Sequence, residues 1–302
     1  MTSTRTSWAR RIVRVLPYVL TIAVIATLLS RYEWASISAA IAEGNVAGLF
    51  PIAFVQMLVS LALISVADRT VLAELYPAPR VTDVAIAKAA SSLLDILGYA
   101  IGHGGYALWI ARGCSERRDG VGATGALLYL MASDLLGVTL VATGALVLTD
   151  ATAPEPLRIA APAIAGALGF TWILGWFGRG RGPRVLWAWR VVRPGAAGIQ
   201  LALRVTQMVM FSAFGCIAAR WFGIDLPWSA ALTYVPIILL VGALPINVAG
   251  FGAVQAAWLL LVPWAPAERI LAFQLVWTVA TTAAIAVRGL PFLGRWTAMI
   301  AR

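Results

Sequence analysis

Residues 84–111 read VAIAKAASSLLDILGYAIGHGGYALWIA, and the next residue is Arg112. The stretch is apolar and longer than the roughly 20 residues that cross about 30 Å of hydrocarbon. Its middle is broken by glycine. Arg80 stands before it and Arg112, Arg117 and Arg118 after it, and arginine in short loops marks the cytoplasmic side of a membrane helix. Both ends therefore belong to one face. A chain that enters and leaves on the same face forms a re-entrant hairpin or lies along the surface, so this segment predicts a dip from the cytoplasm.

The surroundings set the solvent. Apolar residues make up 61% of the 302 positions and charged residues 12%, where a soluble domain carries about 25% charged. Lipid is the medium this composition fits. Apolar runs of spanning length recur at residues 15–30, 48–67, 122–149, 158–177, 196–219 and 270–287, which gives about six crossings. The first could be taken for a signal peptide, but it fills a whole span and others follow, so a retained helix is expected. Cys114 and Cys216 sit in separate segments and read as packing residues.

Arginine places the remaining loops. Arg5, Arg10, Arg11 and Arg14, then Arg69 with Arg80, then the cluster from Arg179 to Arg193, then Arg288, Arg295 and Arg302 fall on the inside, and the sparse connections with Arg31, Arg158, Arg220 and Arg269 fall outside. A second broken run, residues 226–263, is then flanked on the outside by Arg220 and Arg269. It dips from the opposite face. Both termini are expected in the cytoplasm, in a bacterial-type plasma membrane.

The expected fold is all-α: one transmembrane domain, residues 1–302, with a first half at 15–149 and a second at 158–287 entering from the other side. Such an inverted repeat with paired broken helices points to a transport site near the midplane. Gly102, His103, Gly104 and Gly105 match Gly250, Phe251, Gly252 and Ala253, and Trp109 matches Trp258. On this reading helices resume at Gly104 and Gly252 and aim free N–H groups at an anion. The plainer reading makes the same glycines small-residue contacts between helices.

Polar residues inside the spans add candidates, because a charge at the bilayer centre costs about 2.5–3.5 kcal/mol and normally faces protein or water. Lys88, Ser91, Ser92 and Asp95 share a helix face. Gln200, Arg204 and Gln207 form a second stripe, with Arg204 near enough to a span end to snorkel. Asp134 lies deep in a span with no such escape. His103, the single histidine, suits a proton relay by its ordinary pKa near 6.5, or a packed core position. Trp34, Trp221, Trp228, Trp264 and Trp296 read as interfacial anchors.

The stretch LPINVAGFGAVQAAWL at 244–259 resembles the proline and glycine motif of the lysylphosphatidylglycerol synthase/flippase membrane region, with Pro245, Gly250 and Gly252 on its Pro-then-GxG positions. GYAIGHGGYALWIARG at 98–113 is similar to that family's other Gly-rich stretch. Family members commonly carry Glu where this chain has Gln255, and many carry Arg soon after the first Gly cluster, where this chain has Trp109 before Arg112. The resemblance implies a flippase-like lipid translocase without the soluble aminoacyl-transfer domain. Its cargo would be an anionic or aminoacylated phospholipid, or a lipid-linked intermediate. Gly102, Gly104, Gly105, Arg112, Arg204, Pro245, Gly250, Gly252 and Gln255 would bind substrate, and Lys88, Asp95, His103 and Asp134 would line the cavity or couple transport. The alternatives are a membrane lipid-phosphate transferase, for which no catalytic motif is present, and a non-transporting partner in envelope lipid or glycan synthesis. No metal, cofactor or nucleic acid is expected. A homo-oligomer and a lipid-synthesis enzyme partner are both compatible with the reading.

Overall fold

A computed structural model describes residues 18–28, 30–77, 79–114, 120–148, 155–177, 184–242, 247–248 and 251–301. The chain is an all-α membrane protein. Among the described residues four helices are long and apolar enough to cross a bilayer: Leu49–Leu75 (α3), Gly120–Leu148 (α6), Pro194–Trp221 (α9) and Ala267–Gly289 (α12), the last running on through a 3₁₀ turn into Leu293–Ala301 (α13). Two of the expected crossings fall on shorter described apolar helices, at Tyr18–Leu28 (α1) and within Glu155–Phe177 (α7). Short helices Trp34–Glu43 (α2) and Trp187–Val191 (α8) precede α3 and α9.

Each broken segment folds as helix, break, helix. The first is Val81–Asp95 (α4) packed on Tyr99–Trp109 (α5), closed by a π turn at Ile110–Cys114. The second is Trp228–Gly242 (α10), a two-residue antiparallel pairing of Asn247–Val248 with Phe251–Gly252, and Ala253–Trp258 (α11) followed by a 3₁₀ stretch. Pro245 and Gly250 lie outside the described residues.

The first break is not where the Gly cluster suggested. It falls at Ile96–Gly98, and Gly98 has φ +157°, a backbone state that side chains other than glycine rarely adopt. Gly102, Gly104 and Gly105 are all inside α5. Gly102 and Gly105 are contacts, as small residues between membrane helices commonly are. A Cβ on Gly102 would stand 1.8 Å from Asp95 Oδ1, and one on Gly105 2.7 Å from Leu94. Gly104 faces open space. In the second segment Gly252 is the N-cap of α11, with φ +134°. The residue that shares Gly252's place, a positive-φ glycine capping the returning helix, is therefore Gly98, not Gly104.

The helices pair in matched sets. α3 packs on α9; α12 packs on α3 as α6 does on α9; α12 packs on α4 as α6 does on α10. Exchanging α3 with α9, α4–α5 with α10–α11 and α6 with α12 leaves this list unchanged. Among the described residues two large apolar cores follow, one around α4–α6 and one around α10–α12, with a small third cluster of Val138, Val141 and Met208 between α6 and α9. Trp296 is 8% exposed within the first core, 3.6 Å from where a Gly105 Cβ would sit, so it is a packing residue and not a surface anchor. Trp34, Trp221 and Trp228 are exposed.

Candidate functional site

Charged side chains from four helices meet at Arg204. Its guanidinium hydrogen-bonds Asp68 of α3, stands 2.6 Å by Nε from Asp134 Oδ1 of α6, and donates from NH1 to Gln207 Oε1 at 3.0 Å. Gln207 passes the chain on to Ser60 Oγ at 2.8 Å. Lys88 Nζ of α4 lies 3.1 Å from Asp68 Oδ2 and 4.0 Å over the ring of Tyr106 on α5. Asp68 is 0% and Arg204 1% exposed. Burying a lone ion costs several kcal/mol even after relaxation, so these charges persist because each has an opposite charge beside it.

Local sequence explains the approach. Gly137 stands three residues after Asp134 on α6, and a Cβ there would be 3.1 Å from Arg204 Cβ. That missing side chain lets α9 come close enough to bring Arg204 between Asp134 and Asp68. Gly289 does the same for α12: a Cβ on it would meet the Ala89 carbonyl oxygen at 2.6 Å. Its neighbour Arg288 thereby reaches across to α3 and α4, donating to the Met57 carbonyl oxygen and to Ser92 Oγ, each at 2.8 Å. Arg288 Nε is buried with no partner, and no carboxylate among the described residues is within ion-pair distance of Arg288.

Two cavities adjoin this network. A polar chamber of about 280 Å³ is lined by Lys88, Ser91, Ser92, Asp95, Gly102, His103, Tyr106, Asp134 and Arg288, with Ser60 and apolar residues of α3. An apolar chamber of about 260 Å³ is lined by Gln56, Val235, Ile238, Leu239, Trp258, Trp277 and three threonines of α12. Met57, Asp95, Phe211 and Ile285 belong to both walls. Asp95 ends α4 just before the break and has His103 Nδ1 at 3.6 Å from Oδ1. In the apolar chamber Gln56 is 2% exposed, and its Oε1 has no hydrogen-bond partner.

The stripe Lys88, Ser91, Ser92, Asp95 thus faces one chamber together with His103 and Asp134, and Arg204 is held just behind it. Arg204 does not snorkel; its partners are carboxylates across the helix interface. Arg112 is exposed in the π turn and lines neither chamber. Gly104 is exposed on the outer side of α5. Gly252 and Gln255 line neither chamber. The buried Gln255 side chain instead accepts a hydrogen bond from the Gly252 N–H, so that donor is satisfied within the turn and is not free for a phosphate. An acceptor oxygen is what the turn requires at position 255.

Two residues of the site escape a sequence reading. Asp68 follows the run 48–67 and precedes Arg69, which looks like a loop; the helix in fact continues to Leu75. The usable signal was Gln56, Ser60 and Asp68, spaced in multiples of four along one face. Arg288 looks like a cytoplasmic flank until α12 is seen to pack on α4. Gln200, on the Arg204 stripe, is fully buried with neither carboxamide atom hydrogen-bonded.

Comparison of the chain with protein-family models gives no match, and comparison with curated proteins gives none either.

Proposed function

We propose that this protein moves a lipid with an anionic head group between the leaflets of a membrane. One observation carries the reading: a chamber walled by Lys88 and Arg288 shares four wall residues with an apolar chamber of nearly equal size. An amphiphile needs both compartments side by side. Arg288, with an unpartnered buried Nε and, among the described residues, no carboxylate within ion-pair distance, suits a phosphate oxygen, since guanidinium donors bind phosphate in a fixed fork. The two chambers together fall within the roughly 300–1,000 Å³ of small-molecule sites. They hold the head group and the first part of the chains, and the rest extends toward lipid.

On this reading the matched pairing of helices reflects an inverted repeat, with α4–α5 and α10–α11 as re-entrant hairpins from opposite faces and transport as rocking of the halves around the chambers. The resemblance at 98–113 and 244–259 agrees with it. Purified protein in liposomes, with fluorescent phosphatidylglycerol in one leaflet, tests it. Wild type accelerates exchange over empty liposomes, and Arg288→Gln loses most of that acceleration. A folded wild type that leaves exchange at the protein-free rate for phosphatidylglycerol, cardiolipin and phosphatidic acid would overturn the reading.

A further inference from the structure

Resting on the lipid-translocase reading, we infer that lipid movement is coupled to a proton carried by Asp134, one proton for each negative charge on the head group. The argument starts from charge balance. Lys88, Arg204 and Arg288 are matched by Asp68, Asp95 and Asp134 around the polar chamber. These three cations and three carboxylates balance, so together they gain nothing from taking up an anion alone. Adding a proton to one carboxylate leaves a surplus positive charge, and a phosphate then restores neutrality.

Of the two carboxylates that Arg204 holds, Asp134 is the one that can take the proton without stranding a charge. Asp68 is fully buried and holds two cations. Asp134 is 25% exposed to the chamber, and among the described residues its one ion-pair partner, Arg204, is shared with Asp68. When Asp134 is neutral, Arg204 keeps Asp68 and Gln207 as partners. Asp68 then has two cations to itself, and Lys88, 13% exposed at the chamber wall, is the one free to turn toward a phosphate opposite Arg288. Binding free energies are reciprocal, so head-group binding raises the affinity of Asp134 for its proton and departure of the lipid releases it. The charged and titratable groups around Asp134 and its chamber are Arg204 of α9, Asp68 of α3, Lys88 and Asp95 of α4, His103 and Tyr106 of α5, and Arg288 of α12. Of the other elements packed on α6, α10 has no charged residue, α7 includes Glu155 and Arg158, the 3₁₀ turn Arg184–Leu186 includes Arg184, α8 Arg190 and the π turn Arg112. None of these charged residues lines the chamber.

Electroneutral coupling has a signature that needs no mutant. In liposomes with one unit of pH difference, labelled phosphatidylglycerol should accumulate up to about tenfold in the leaflet on the alkaline side, the ratio set by the proton ratio. A potassium diffusion potential of 100 mV should leave the distribution unchanged, whereas movement of an uncompensated charge would shift it by about 2.3 kcal/mol, close to fiftyfold. Asp134→Asn should abolish the pH-driven asymmetry and Asp134→Glu restore it. Asp95→Asn, at whatever rate, should keep it. Exchange that follows the potential and ignores pH overturns the proposal and leaves the translocase standing. Loss of asymmetry in Asp95→Asn but not in Asp134→Asn overturns the assignment to Asp134. Absence of any protein-dependent exchange removes both.

Discussion

Replacing Arg204 by Met tests whether the charged network is what holds α3, α6 and α9 together. Met keeps a long unbranched side chain but takes away the cation between two carboxylates. Asp68, fully buried, would retain only Lys88, and Asp134 would have no partner closer than the chamber. Breaking a buried pair by removing one member costs about 3–5 kcal/mol. The lost hydrogen bond to Gln207 adds about 1 kcal/mol. Because Asp134 is partly exposed and can take up a proton or water, its share is relieved, and the expected loss is about 3–5 kcal/mol in all. Asp68→Asn should cost less, about 1–3 kcal/mol, since Arg204 keeps Asp134 and Lys88 can turn to the chamber. In the double variant the orphaned Asp68 charge is gone, so its loss should fall short of the sum of the singles by about 2 kcal/mol, within the range for residues in direct contact. Equilibrium unfolding in detergent micelles, followed by tryptophan fluorescence, measures all three. A cost for Arg204→Met below about 1 kcal/mol, or strict additivity in the double variant, would refute the view that these charges are mutually dependent.

Other outcomes follow from single contacts. Gly104→Ala should be neutral or stabilise by about 0.5–1 kcal/mol, because an Ala there meets open space within a helix. Gly102→Ala should destabilise by about 1–3 kcal/mol, since its Cβ would collide with Asp95 and its backbone; thermal unfolding of the pair separates them. Gln255→Leu should lose about 1–3 kcal/mol by stranding the Gly252 N–H, and Gln255→Glu should retain near-wild-type stability because the acceptor oxygen remains. Arg112→Ala should change lipid exchange by no more than about twofold, as for surface positions away from a site. Arg288→Ala should nearly abolish it in the same liposome assay.

Much of this protein was legible before any tertiary contact. Its 61% apolar composition set lipid as solvent, and in lipid the backbone must satisfy itself, so helices followed. Among the described residues the six apolar runs fall on helices, four of them long and apolar enough to cross a bilayer, and both interrupted segments are interrupted. Asp134 and the face from Lys88 to Asp95 stood out because a charge amid apolar residues needs a reason that a single helix cannot supply.

Tertiary structure decided which charges satisfy one another and which glycines turn the chain. Arg204 finds Asp68 at a sequence separation of 136, and nothing local to either residue encodes that meeting. It depends on Gly137 letting α9 close on α6. Gly102, Gly104 and Gly105 share composition with a turn, yet all three are helical; Gly98 and Gly252 carry the positive φ that the breaks need. Composition records what a glycine permits, and packing determines which permission is used. The same holds for Arg288 and Asp68, which look like loop flanks in the sequence. Their burial is set by helices contributed from the other half of the chain, so their place at the chamber appears only when the halves are assembled.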